Sequence, residues 1–318
     1  MYSRDIHVLR YFSSFISVSN GKVINITEPT INSCPLASHL YKDFRLIPGN
    51  DKEAVKGAIK KVIESKIRDY GFFTDGRKFS FDEVSIPYGA SEMLSFALRK
   101  KEVEAAVVVC EGAGTVITGK PDIVQGIGAR MNSLLLTSPI KKIIETLKSS
   151  GSRVLSDNAL IDQARGIEAA IKAGYKNIAV TVCGHSVEEL KTIRLLEKEH
   201  AVSIVCLAVC TTGISKDKIN MIRDYADLAW SCASFDVRRD IGPLSRMQLS
   251  RQIPVFVLTK KGIEFVSAYS LEEEIIKNID IRKQYLVSNE PKGQPFYLGG
   301  FKRYISETRL PVNSHDKI

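Results

Sequence analysis

The spacing of apolar positions changes along the chain. Phe12 to Ser19 and Lys22 to Ile26 are rich in β-branched and aromatic residues, and Asn20-Gly21 separates them. Two such runs joined by Asn-Gly predict a β-hairpin, because both turn residues tolerate a left-handed backbone. Glu28-Pro29 to Pro48-Gly49, with Cys34-Pro35 inside it, carries no period and is expected to be irregular. From Asp51 to Arg68 the apolar residues Val55, Ala58, Ile59, Val62, Ile63 and Ile67 recur at helical spacing, and Gly71 is placed to stop the helix.

From Ser91 onward helical patterns alternate with short apolar runs. Helices are expected near Ser91 to Lys100, Asp122 to Asn132, Ile140 to Lys148 and Asp162 to Ala173, with another reaching Glu199. Ser186 and Glu189 fit a capping box for that last helix, and Ser270 and Glu273 fit another. Strands are expected at Ala105 to Cys110, Asn177 to Cys183, Val202 to Cys210, Leu228 to Cys232 and Ile253 to Leu258, with a weaker one at Arg153-Val154-Leu155. These runs are continuously apolar, as in strands covered by helices on both faces. The expected fold class is α/β: a mostly parallel sheet with helices on both faces, doubly wound and Rossmann-like, preceded by the N-terminal β-hairpin. A βα barrel is the alternative. The organisation is read as an N-terminal hairpin, loop and helix region over 1–90, an α/β core over 91–270, and a helix with an irregular C-terminal tail over 271–318. Pro291, Gly293, Pro295, Gly299 and Gly300 mark that tail.

With 318 residues, 44% hydrophobic and 25% charged, the chain has an ordinary globular composition, which excludes a collagen-like, disordered or coiled-coil protein. No run approaches ~20 uninterrupted apolar residues, so no membrane span is expected. Met1 to Asp5 does not lead into an apolar stretch, so no signal peptide and a cytoplasmic location are expected. The net charge is +9. Its basic pairs (Lys100-Lys101, Lys141-Lys142, Arg238-Arg239, Lys260-Lys261) stand apart and are not interleaved with aromatics, which disfavours nucleic acid as a partner. Six cysteines without an export signal read as reduced thiols.

Parallel α/β sheets bind ligands beyond the carboxyl ends of their strands. Here those ends read Cys110-Glu111-Gly112-Ala113-Gly114-Thr115, Cys183-Gly184-His185-Ser186, Cys210-Thr211-Thr212-Gly213 and Cys232-Ala233-Ser234. Four cysteines at four strand ends suggest one shared crevice. Thiolates there would suit a soft metal, an iron–sulfur cluster or nucleophilic chemistry, while buried cysteines also serve as plain core residues. Cys34, Cys110 and Cys232 are the candidate metal ligands, and Cys110, Glu111, His185 and Cys232 the candidate catalytic groups. Gly112-Ala113-Gly114 lacks the third glycine of a dinucleotide fingerprint, since Ile117 stands there; Gly126-Ile127-Gly128 meets Met131 instead. Gly114 to Lys120 traces much of a phosphate loop, but Pro121 replaces the hydroxyl residue that would hold magnesium. A looser anion site remains, built from Gly112, Gly114, Thr115, Gln125, Gly126, Gly128, Arg130, Thr211, Thr212, Gly213 and Ser234. The five histidines form no ligand pair, and no Gly-x-Ser-x-Gly elbow is present.

Cys34-Pro35-Leu36, Gly89-Ala90-Ser91-Glu92, Cys110 to Ile117 and Gln125 to Arg130, followed by Asp162-Gln163, Thr211 to Ser215 and Cys232-Ala233-Ser234, occur in an order that resembles the methanogenesis marker protein 8 family. The resemblance covers His7 to Thr259. It implies an anaerobic archaeal setting and a role accessory to methane metabolism, and it assigns no catalytic residue. Three functions follow as expectations: a small anionic metabolite or cofactor held at the carboxyl edge of the sheet, a cysteine-ligated metal or iron–sulfur accessory protein, or a non-catalytic assembly partner of a methanogenic protein complex.

Overall fold

The computed structural model describes residues 5–31, 34, 37–38, 44, 51–80, 86–131 and 133–313. Most of the segment expected to be irregular, Glu28 to Gly49, lies outside the described residues, as do Asn132, His39 and His315. Two sheets organise the rest. The smaller is antiparallel and runs β3-β2-β1-β6, with β1 at His7–Tyr11, β2 at Ser14–Ser19, β3 at Lys22–Ile26 and β6 at Ser133–Thr137. Asn20 and Gly21 close the β2–β3 hairpin with φ of 49° and 64°, the left-handed pair that matches strand twist. The helix Lys52–Tyr70 packs its Val55, Ile59, Val62 and Ile63 face on this sheet. Asp51 caps its start by accepting from the Ala54 N–H, and Gly71 at φ 70° ends it.

Among the described residues the larger sheet has eleven strands, in the order β14 (Gln294–Leu298), β15 (Phe301–Glu307), β13 (Tyr285–Ser288), β11 (Met247–Leu249), β12 (Val255–Val257), β10 (Leu228–Trp230), β9 (Ser203–Val209), β8 (Asn177–Cys183), β4 (Ala105–Cys110), β5 (Gly114–Thr118) and β7 (Arg153–Val154). At its heart β4 (Ala105–Cys110), β8 (Asn177–Cys183), β9 (Ser203–Val209) and β10 (Leu228–Trp230) are mutually parallel. One core cluster covers each face of these strands. One includes side chains of the helices Ala90–Arg99, Pro121–Gly128, Lys141–Ser149 and Lys260–Ala268; the other draws on Gln163–Lys172, Glu189–Glu199 and Lys216–Tyr225. The continuous apolar runs reflect that double cover.

The flanks overturn the expected fold class. The pairings β4–β5, β5–β7, β10–β12, β11–β12, β13–β15 and β14–β15 are antiparallel. The sheet is therefore mixed and mostly antiparallel, neither the mostly parallel, doubly wound Rossmann-like sheet nor a βα barrel. The cause is connection length, since a few residues can turn a chain back but cannot cross it over. Cys110 pairs with Gly114 across the turn into β5 (Gly114–Thr118). β11 (Met247–Leu249) returns as β12 (Val255–Val257), so the run expected at Ile253 to Leu258 is a strand of opposite direction. The tail is not irregular either. β13 (Tyr285–Ser288) joins the sheet, and Gly299-Gly300 turns β14 (Gln294–Leu298) into β15 (Phe301–Glu307).

Both expected capping boxes are absent. The helix Glu189–Glu199 starts after Glu188, and the Glu189 carboxylate instead accepts from the Gln163 and Ala164 N–H groups of the neighbouring helix, at 2.5 and 2.9 Å. The Ser270 hydroxyl donates to the Tyr297 carbonyl. Among the described residues no helix is long and apolar enough to cross a membrane.

Candidate functional site

At the carboxyl ends of the four parallel strands lies a cavity of about 220 Å³. Val108 and Val109 of β4, Thr181 and Cys183 of β8, Val209 of β9 with Cys210 just after it, and Trp230 of β10 with Cys232 just after it line the cavity. The start of the helix Ala90–Arg99 contributes Ser91, Glu92 and Leu94, and the end of Pro121–Gly128 contributes Ile127 and Gly128. Arg130 and Ser133 complete the wall beside the small sheet. A larger hollow of about 450 Å³, lined by Asp280, Tyr285 and Glu307 among others, lies far along the chain; Asp280 and Glu307 already pair with Arg282 and Lys283. The cavity at the strand ends is the better site, being mostly apolar with a few convergent polar groups.

Three of its residues hold an unusual backbone. Arg130, Cys210 and Cys232 have φ of 65°, 58° and 49°. Left-handed non-glycine residues cost on the order of 1–3 kcal/mol each and gather where a site needs them. Arg130 is clamped from the helix Lys52–Tyr70: the Lys66 ammonium donates to its carbonyl at 2.6 Å, and its guanidinium stands 5.1 Å from the Tyr70 ring centre. Lys66 and Tyr70 are four residues apart, hence on one helix face. The Arg130 Nε is buried and has no hydrogen-bond partner. Glu92 is held by the Ser91 hydroxyl at 2.7 Å and by Gln125 at 3.4 Å.

The thiols differ in setting. The Ser133 hydroxyl lies 3.0 Å from the Cys183 sulfur. Burial pushes the Cys210 thiol well above its ordinary value, and neighbouring Cys183 and Cys232 add to the rise. Burial, with help from Cys34, pushes Cys232 up to about 12. The six cysteines form no disulfide with one another.

Of the residues expected at the site, the cavity takes Gly128, Arg130 and Cys232. The Gly112-Ala113-Gly114-Thr115 segment is a buried hairpin instead of a ligand loop. A Cβ on Gly112 would lie 2.8 Å from the Ile140 Cβ, and one on Gly114 would lie 2.3 Å from the Leu160 carbonyl oxygen. The Thr115 hydroxyl donates to Gln163 and accepts from the Asp162 N–H. Cys110 is fully buried beside Glu111, which forms a buried ion pair with Arg77. Gly126 lies against the Phe79 backbone, and its carbonyl accepts from Arg77. Gln125 is buried near the wall, reaching Glu92. Thr211 donates to the Trp230 carbonyl, Thr212 accepts from the Ala233 N–H, and Ser234 caps the helix Phe235–Ile241. Gly213 leaves room for Arg10, whose Nη2 would lie 2.8 Å from a Cβ there.

His185 accepts from Arg10. Its pKa is lowered to about 4 by burial, then by Arg10 and Lys218, so it is a neutral acceptor near pH 7. Cys34 is buried and raises the pKa of the Cys232 thiol, and Cys110 is fully buried with Glu111 and Arg77 as its charged neighbours. Cys183 and Cys210 carried a signal as strand-end cysteines. Ser133, which lines the cavity, and Lys66, which holds Arg130, carried none, because they come from elements remote in the chain.

Residues 7–269 match the model of the family described as an uncharacterized protein conserved in archaea, DUF2099. The uncharacterized protein MJ0054 of Methanocaldococcus jannaschii is 36% identical over 294 residues, covering 91% of this chain and 99% of its own length. The archaeal assignment expected from the motifs stands, and the methane-metabolism label is not part of either description. With over four-fifths of its length matched, the chain belongs to this conserved archaeal DUF2099 family.

Proposed function

We propose that the chain binds a small molecule with an apolar body and one anionic group in the cavity at the carboxyl ends of β4, β8, β9 and β10. The observation that carries this reading is Arg130: a left-handed residue, clamped by Lys66 and Tyr70, with a buried unpartnered Nε on the wall of an otherwise apolar cavity. Its guanidinium suits a carboxylate or phosphate. Glu92, steadied by Ser91 and Gln125, offers an acceptor for a donor group of the same ligand. Leu94, Val108, Ile127 and Trp230 face its apolar part. The resemblance to methanogenesis marker protein 8 supports a ligand drawn from anaerobic methane metabolism, and a cytoplasmic location agrees with that reading.

Thermal-shift screening against small carboxylated and phosphorylated cofactors tests this. At least one anion should raise the melting temperature, and Arg130→Ala should weaken its binding roughly 10- to 150-fold, the worth of a charged hydrogen bond of about 1.5–3 kcal/mol. A panel without any shift, or full binding by Arg130→Ala, contradicts the proposal.

A further inference from the structure

The backbone brings two of the cavity's thiols together. β8 and β9 pair in parallel with Cys183 opposite Val209, and Cys210 is the next residue. That register puts the Cα atoms of Cys183 and Cys210 roughly 6 Å apart, within the span a disulfide needs. Val209 already faces the cavity, so by strand alternation an extended Cys210 would face the other side of the sheet. Its left-handed φ of 58° leaves it on the cavity wall with Cys183 instead. Gly184 lets the two strand-end loops close on each other, since a Cβ there would lie 2.8 Å from the Cys210 carbonyl oxygen. Arg10 ties the same loops together from β1, bonding the His185 ring and, at 2.5 Å, the Thr212 carbonyl.

We propose that Cys183 and Cys210 are a redox pair that exchanges with a low-molecular-weight disulfide, passing between a dithiol and an intramolecular disulfide. The inference goes beyond the anionic-ligand reading and does not depend on Arg130. Access sets the cavity thiols apart: Cys183, Cys210 and Cys232 are half-buried, while Cys34, Cys110 and Cys206 are buried. Register then singles out the pair. The β8–β9 ladder runs up to Cys183 and Val209, but the β9–β10 ladder stops at Ala208 and Ala229, so no pairing sets Cys232 against Cys210. Arg238 holds the Cys232 carbonyl at 2.8 Å. The left-handed backbone of Cys210 is strain of the kind kept at a functional site.

Cys183 is the attacking thiol. The Ser133 hydroxyl, 3.0 Å from its sulfur, can donate to a thiolate there, and the Arg10 guanidinium adds a nearby positive charge. Burial keeps the Cys210 thiol protonated near pH 7, which suits it to the second step. The Cys183 thiolate attacks one sulfur of the small disulfide; that S–S bond breaks, and the first small thiolate leaves and takes up the Cys183 proton. Cys210 then attacks the Cys183 sulfur of the mixed disulfide. The Cys183–Cys210 bond forms, and the second small thiolate leaves with the Cys210 proton. Two protein thiols are oxidised by two electrons, and the small disulfide is reduced to two thiols.

The test equilibrates the folded full-length protein in anaerobic glutathione buffers of rising oxidised fraction, caps the remaining thiols with N-ethylmaleimide and maps the bonds by mass spectrometry. Of the six thiols two should be lost, and one linked peptide should join Cys183 to Cys210. Excess reduced glutathione should restore both. Cys232→Ser should keep the bond, Cys183→Ser should form no intramolecular disulfide, and Cys210→Ser should stop at one glutathione on Cys183; circular dichroism establishes that each variant is folded. Six thiols that all stay free, a bond joining another pair of cysteines, a mixed disulfide that never resolves in the wild type, or a bond that forms only after unfolding in urea would overturn the proposal.

Discussion

Arg130 joins the small sheet and helix to the cavity, and Lys66 is its support. Burial, with repulsion from Arg130 added and attraction to Glu111 opposing, lowers the Lys66 pKa from 10.5 to about 7. Between those values the unfolded chain holds the extra proton, so stability should rise as pH increases from about 7 toward 10.5. Below about 7 the cost of burying the ammonium is carried in full. Urea denaturation at about pH 6 and about pH 9 should show the wild type gaining stability and Lys66→Met losing most of that slope; an equal slope in both proteins would place the titration elsewhere. Gly114 illustrates the opposite kind of residue. It looked like part of a ligand loop, but its φ is 70° and a side chain would strike the Leu160 carbonyl. Gly114→Val should cost on the order of 3–5 kcal/mol in denaturant unfolding. A cost under about 1 kcal/mol would mean that the hairpin yields easily.

At the scale of elements, turn chemistry was legible and strand direction was not. Asn20-Gly21 announced its hairpin because the two residues suit its backbone angles. Gly112 and Gly114 do the same work at φ 72° and 70°, yet glycine after a strand also serves phosphate loops, and the residues alone do not separate the two. The Pro- and Gly-rich tail hid β13 to β15 for a similar reason. Pro295 stands in β14 at the sheet edge, where a missing N–H is tolerated. The cap of Gln163–Lys172 was also out of reach, because Glu189 arrives from the next helix. Glu189→Ala should cost about 1–2 kcal/mol, the usual worth of a cap, with hydrogen exchange accelerating first in that helix. Unchanged stability would show that Asp162, which accepts from the Arg165 N–H, suffices.

For the whole molecule, the double apolar cover of β4, β8, β9 and β10 was readable from composition, and it located the strand ends where the cavity lies. What packs beside those strand ends was not readable. Arg10 meets His185 and Thr212 from β1, 175 and 202 residues away, and such contacts leave no local pattern. Protein atoms pack against the glycine and threonine loops expected to bind a ligand, whereas Cys183, Cys210, Cys232 and Arg130 line the cavity. A crystal structure of the protein with its most stabilising anion tests this placement directly. The account expects density for the anionic group at the Arg130 guanidinium, with the ligand body between Leu94 and Trp230. Density at the Gly112–Thr115 turn or the Thr211–Gly213 turn, with the cavity unfilled, would contradict it.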